Sequence, residues 1–145
     1  MLFRSYFHIN SNGDCEPCAF VHYSNVNIKE HSVLEALQSP LFMEYKKNQP
    51  FNNNMLRPCP VLDNPGAISK MVAASGAYST EMEHPESAND LFDKTIEHAK
   101  LWKIKADELF DRDEYIAKHV KDENMYNFEK TDEERDFSEF VKTEE

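Results

Sequence analysis

The nine residues Asn10-Ser11-Asn12-Gly13-Asp14-Cys15-Glu16-Pro17-Cys18 encode a tight turn that delivers two thiols, and Leu56-Arg57-Pro58-Cys59-Pro60 delivers a third. Every cysteine of the chain lies in these two segments. An odd number of cysteines cannot pair completely into disulfides within one chain, and Met1-Leu2-Phe3-Arg4 does not open a long apolar secretion segment. The expectation is a cytoplasmic, reducing compartment in which the thiols ligate a metal, react, or simply pack.

Charge narrows the partners. The 145 residues carry a formal net charge of −11, which opposes binding to nucleic-acid phosphates and to anionic membranes. No apolar run approaches the roughly 18 residues that span a bilayer. Neither nucleic acid nor membrane is expected as a partner. A hydrophobic content of 40% with 12% aromatics is enough to bury one modest core.

The order of local signals predicts an α+β fold. Ser5-Tyr6-Phe7-His8-Ile9 has the aromatic and β-branched content of a strand, and Asn12-Gly13-Asp14 tolerates the positive φ of a reversal. The returning arm is expected to continue as a strand through Ala19-Phe20-Val21-His22-Tyr23, which gives an N-terminal β-hairpin. Ser32 to Glu35 has capping-box spacing, and Ser39-Pro40 places a cap before a proline, so short helices are predicted over 32–38 and 40–48. Pro50 with Asn52, Asn53 and Asn54 predicts a loop leading to Cys59. Asn64-Pro65-Gly66 starts a helix to about Ala74, with Gly76 as its stop, and Tyr78-Ser79-Thr80 leaves it. A long amphipathic helix begins at Ser87 and carries Leu91, Thr95, His98, Ala99, Trp102, Ala106, Leu109 and Phe110 at helical spacing; the pattern weakens after Asp111, where Tyr115, Ile116 and Val120 either extend it or form a second helix. From Lys121 to Glu145 ten acids face four bases, the composition of a solvated, flexible tail.

Several chemistries compete for the thiols. An iron-sulfur cluster needs thiolates from separate turns, because each iron is held tetrahedrally, and Cys18 and Cys59 meet that demand if the loop after Asn52 folds back on the hairpin. Zinc would need His8, His22 or His31 to complete a set of four. Cys15-Glu16-Pro17-Cys18 has the spacing of a disulfide exchanger, but the helix that lowers such a thiol's pKa is not predicted after it. Three small buried side chains are the fourth reading. Trp102, Phe92 and Phe110 read as core, and His84, His98 and His119 as solvated surface. Glu81, Glu83 and Glu86 lack the glycine and alternating ligands of a calcium loop. The three glycines, at 13, 66 and 76, do not make a phosphate loop, and no nucleophile elbow is present.

Tyr6-Phe7-His8-Ile9-Asn10 running into Asn12-Gly13-Asp14 and Glu16-Pro17-Cys18 resembles the Gly-x4-Cys hairpin of the SPASM and twitch domains. These are auxiliary cluster domains that follow the barrel of many radical S-adenosylmethionine enzymes. The resemblance continues through Ala19-Phe20-Val21-His22-Tyr23-Ser24, Asn27-Ile28, Ser39-Pro40-Leu41-Phe42, Gln49-Pro50-Phe51-Asn52, Leu56-Arg57-Pro58-Cys59-Pro60 and Asp63-Asn64-Pro65, and covers roughly residues 4–110. It implies that Gly13 serves the turn and that Cys18 and Cys59 ligate a 4Fe-4S cluster. Cys15 stands outside the Gly-x4-Cys pattern, as a bystander or a substitute ligand. It also implies an upstream cysteine that this sequence does not contain and a later cysteine set represented by Cys59 alone, so ligation within the chain is incomplete.

The Cys-x3-Cys-x2-Cys loop of the catalytic cluster occurs nowhere, so no radical chemistry is expected of this chain alone. The resulting expectation is a SPASM/twitch-like domain over 1–80, a helical extension over 81–120 and the acidic tail over 121–145. Its role would be a noncatalytic auxiliary iron-sulfur domain, with Cys18, Cys59 and Cys15 as candidate cofactor and metal ligands. It would support electron transfer or substrate positioning for a radical S-adenosylmethionine barrel or another protein partner. The alternative is a metal-free helical interaction module with structural cysteines.

Overall fold

The computed structural model describes residues 6–111 and residue 114. The acidic tail and the extension of the long helix toward Val120 lie outside the described residues. Eight elements follow in order: β1 (His8–Ile9), β2 (Cys15–Glu16), β3 (Tyr23–Ser24), α1 (Val33–Leu37), α2 (Pro40–Asn48), α3 (Pro65–Ser75), β4 (Tyr78–Ser79) and α4 (Ala88–Leu109). The mixed α+β class read from sequence is the class observed.

The hairpin forms around Gly13. The Asn10 side-chain oxygen accepts from the amides of Asn12 (2.9 Å) and Asp14 (3.0 Å), and Gly13 sits at φ 92°, in the region that favours glycine. β1 and β2 then pair antiparallel, with His8 opposite Glu16 and Ile9 opposite Cys15. Two expectations are corrected here. The returning arm ends at Glu16, because Pro17 has no amide to continue the ladder. Tyr23 and Ser24 do not extend it either. They form β3, which pairs with Tyr78 and Ser79 of β4, a stretch read from sequence only as the exit from a helix. The other edge of β2 is covered locally, as the Cys15 amide donates to Val26 O (3.0 Å) and the Ile28 amide to Gly13 O (2.7 Å).

The helices start where their capping signals stand. Ser32 and Glu35 form a capping box ahead of α1, and Ser87 accepts from the Asp90 amide to begin α4. Gly76 ends α3 in the left-handed conformation at φ 64°. Ser39 precedes α2 without capping it through its side chain. The Leu41 amide is instead taken by Asn25 Oδ1 (2.8 Å), whose Nδ2 donates to Ser75 O at the end of α3 (3.1 Å). One asparagine thus satisfies the exposed ends of two helices.

α3 packs between α2 and α4. The core holds Val21, Tyr23, Leu41, Tyr45, Phe51, Val61, Ala67, Ile68, Met71 and Ala88, with Cys18, Cys59 and Leu91 packed against its edge. Ala88 and Leu91 come from α4, so the helical extension shares the core of the preceding residues.

Candidate metal centre

Cys59 stands in a turn that is tied down from all sides. Its amide donates to Asp63 Oδ2 (2.8 Å), and its carbonyl accepts from the amides of Asp63 (3.2 Å) and Asn64 (3.0 Å). Its sulfur accepts from the Leu62 amide at 3.4 Å. Amides aimed at a sulfur favour the thiolate and tune a cluster bound through it. Burial nevertheless pushes the Cys59 thiol above its ordinary range. The N–H groups of Leu62 and Val61 oppose that rise, and the charges of Asp63 and Cys18 add to it. Burial likewise lifts the Asp63 carboxyl against the pull of the Cys59 amide, Arg57 and His98.

The turn is held by asparagines that sequence reading assigned only to a loop. Asn52 Nδ2 donates to Arg57 O and to Asn64 Oδ1, both at 2.7 Å, and Asn64 Nδ2 donates to Arg57 O (2.9 Å) and Cys59 O (3.0 Å). Asn54 Oδ1 accepts from the Leu56 amide at 2.9 Å. Asn52, Asn53 and Asn54 are all buried. Phe51 anchors the segment edge-on to Tyr45, with ring centroids 5.7 Å apart. Asparagine-rich composition signals turns. That the turns are internal depends on partners far along the chain.

Cys18 follows β2 in a second turn, where the Val21 amide donates to its carbonyl (3.0 Å) and its sulfur lies 3.7 Å from the Tyr6 hydroxyl. Like Cys59, it is half-buried. Both thiols pack against the core cluster. The Cys18 charge acts on Cys59, and after burial itself the charges of Cys18 and Cys59 are what lift the Tyr45 phenol.

Cys15 is placed differently. It is fully buried on β2, with its sulfur 4.0 Å from Gly13 O. Burial and then Asp14 raise its thiol, against the Ile28 amide. These influences all belong to the hairpin and its covering segment. Among the described residues, no three His, Cys, Asp or Glu side chains are grouped as a metal ion would require.

His8 and His22 turn toward a carboxylate. Glu16 is fully buried, accepts from His8 Nδ1 (2.7 Å), Asn10 Nδ2 (3.1 Å) and Thr80 Oγ1, and has His22 Nδ1 at 3.6 Å. Trp102, read as core, is half-buried and donates from Nε1 to Leu56 O at 3.0 Å. α4 thus braces the Cys59 turn, and Asn54 Nδ2 reaches Asp107 on the same helix at 2.8 Å.

Residues 2–61 match the family model of SPASM, an iron-sulfur cluster-binding domain. This segment, which contains the hairpin, Cys18 and Cys59, is thus similar to a SPASM-type iron-sulfur cluster-binding domain. No curated protein and no solved structure matches the chain. The donor set bears on the fit. A cubane held by cysteines takes four thiolates. The chain has three cysteines, Cys15, Cys18 and Cys59, one short of that set.

Proposed function

We propose that Cys18 and Cys59 hold an auxiliary 4Fe-4S cluster, and that the domain serves a radical S-adenosylmethionine barrel by electron transfer or substrate positioning. The observation that supports this reading is that two half-buried thiols from separate turns both pack against the core of a segment that matches the cluster-domain family. A cluster bound there supplies one-electron transfer. The chain's own part is to fix the two sulfurs, to aim the Leu62 amide at one of them, and to keep the Tyr45 side of the site dry. Cys15 serves packing in this reading, since its sulfur faces the hairpin backbone.

Anaerobic reconstitution with iron and sulfide is the test. The native chain should turn brown and retain iron after desalting, Cys18→Ser and Cys59→Ser should each lose most of it, and Cys15→Ser should keep it. Colourless, iron-free protein, or equal iron in all three variants, would remove the proposal.

A second reading draws on α4, which leaves Leu101, Ile104 and Leu109 exposed. Exposed apolar side chains on one helix suit a protein partner. In that reading the domain folds and binds without metal, and excess chelator leaves its unfolding transition unchanged.

A further inference from the structure

The side of α4 that faces away from the core carries charges in an order that packing does not require. Phe92, Thr95, Ala99 and Ala106 are buried, so the exposed face is the one that carries Lys94, Glu97, Leu101, Ile104, Lys105 and Glu108. Leu101 and Ile104 stand in the middle of it, 70% and 63% exposed. On a helix the residues four and seven positions away lie in line with a given side chain. For Leu101 these are Glu97 and Lys105, then Lys94 and Glu108. Each line therefore has opposite charges at equal distances from one aliphatic centre.

That order selects a partner. The two lysines and two glutamates cancel, so the face is neutral on a chain of net charge −11 and attracts neither a basic nor an acidic surface as such. A second α4 running antiparallel, with its own Leu101 at the same level, is complementary. A residue a given number of positions before Leu101 in one copy then stands level with the residue the same number after it in the other. This sets Glu97 beside Lys105 and Lys94 beside Glu108, each twice by the two-fold symmetry. A parallel copy in register sets like charges level. Within one chain these groups already make contacts, Lys94 with Glu86, Glu97 with Lys100 at 3.1 Å and Lys105 with Glu108 at 2.8 Å, but exposed pairs of this kind are weak and exchange partners. At physiological salt, repulsion between the remaining charges of two copies is screened beyond about 8 Å, while the level pairs are in contact.

We propose that α4 pairs antiparallel with α4 of a second copy of this chain, in an isologous interface centred on Leu101 and widened by Ile104. The partner left open in the second reading is thereby named, and only the exposed face is taken from that reading, not the absence of metal.

Sedimentation equilibrium of the full chain in excess chelator, over a dilution series at physiological salt, is the test. A monomer–dimer equilibrium that follows concentration is expected. Leu101→Glu, which sets two carboxylates at the symmetry axis, should abolish it. Lys105→Glu should weaken it about tenfold, because the new carboxylate meets Glu97 of the other copy at two symmetric places. The double variant Glu97→Lys with Lys105→Glu restores opposite signs and should recover most of that loss. A monomer at every concentration, a dimer indifferent to Leu101→Glu, or a double variant no tighter than Lys105→Glu would overturn the proposal. A dimer whose unfolding transition responds to chelator upholds it and removes the metal-free reading, whereas a monomer whose transition does not respond overturns it and upholds that reading.

Discussion

At the scale of single residues, Gly13 and Glu16 do the most to shape the hairpin, and only one of them could be read in advance. A Cβ at Gly13 would stand 2.8 Å from Asn27 Oδ1 on a backbone at φ 92°. Asn27 is committed to Asn12 O and Asp14 Oδ1, each at 3.0 Å, and cannot yield freely. Gly13→Ala should therefore cost about 1–3 kcal/mol, seen as a lower urea midpoint with an unchanged slope. A loss below a few tenths of that range would show that the turn relaxes. Glu16→Gln replaces the oxygen facing His8 by a donor or turns the amide away from Asn10 and Thr80, and should cost about 1–3 kcal/mol. Retention of native stability would show that the fully buried carboxylate is not what ties these strands together. The glycine was legible because asparagine, glycine and aspartate in sequence specify a turn. Glu16 was not, since glutamate is ordinarily exposed and its partners His22 and Thr80 are brought close only by the paired strands.

At the scale of elements, caps and prolines located the starts of α2, α3 and α4 almost to the residue because those signals act within one turn of chain, whereas the end of α4 at Leu109 has no such signal. The strands resisted for the opposite reason. Each is two residues long, too short for alternation to show, and Tyr23 meets Ser79 across more than fifty intervening residues. The bracing of the Cys59 turn by α4 was equally hidden, as it rests on single polar atoms. Asp107 accepts from Asn54 (2.8 Å) and Lys103 (2.8 Å) and lies 3.6 Å from the buried Arg57 guanidinium. Burial raises its carboxyl, but Lys103, Asn54 and Arg57 together outweigh burial, and the net shift is downward. A carboxyl depressed by folding contributes stability that is present above its unfolded pKa, about 4, and is lost as the pH falls through the lower folded value. Asp107→Asn should then be less stable than the native chain at neutral pH, with the gap closing on acidification below about pH 4. Unfolding midpoints measured from pH 7 downward check this, and a gap independent of pH would mean that the carboxylate charge contributes nothing to the brace.

At the scale of the whole molecule, the two half-buried thiols lie at the edge of a core that exists without them. Val21 and Tyr23, which follow Cys18, and Val61, which follows Cys59, are core residues, so each thiol-bearing turn is tied into the same apolar interior. The order of short motifs singled out Cys18 and Cys59 in the sequence, while the internal asparagines that hold the Cys59 turn have no chemical signature of their own. A metal centre that links these turns would close the long loop between them and bind the folded chain in preference to the unfolded one. Reconstitution with iron and sulfide should accordingly raise the thermal midpoint, and a chelator should return it to the iron-free value. Cys18→Ser and Cys59→Ser should start near the native iron-free midpoint and gain nothing on reconstitution, because each thiol is half-buried and its turn is held by backbone contacts. Cys15→Ser should start lower, since it places a hydroxyl in a fully buried apolar position, yet still gain the full increment. An increment that survives in Cys18→Ser or vanishes in Cys15→Ser would move the metal to the hairpin interior and reverse the roles of these cysteines.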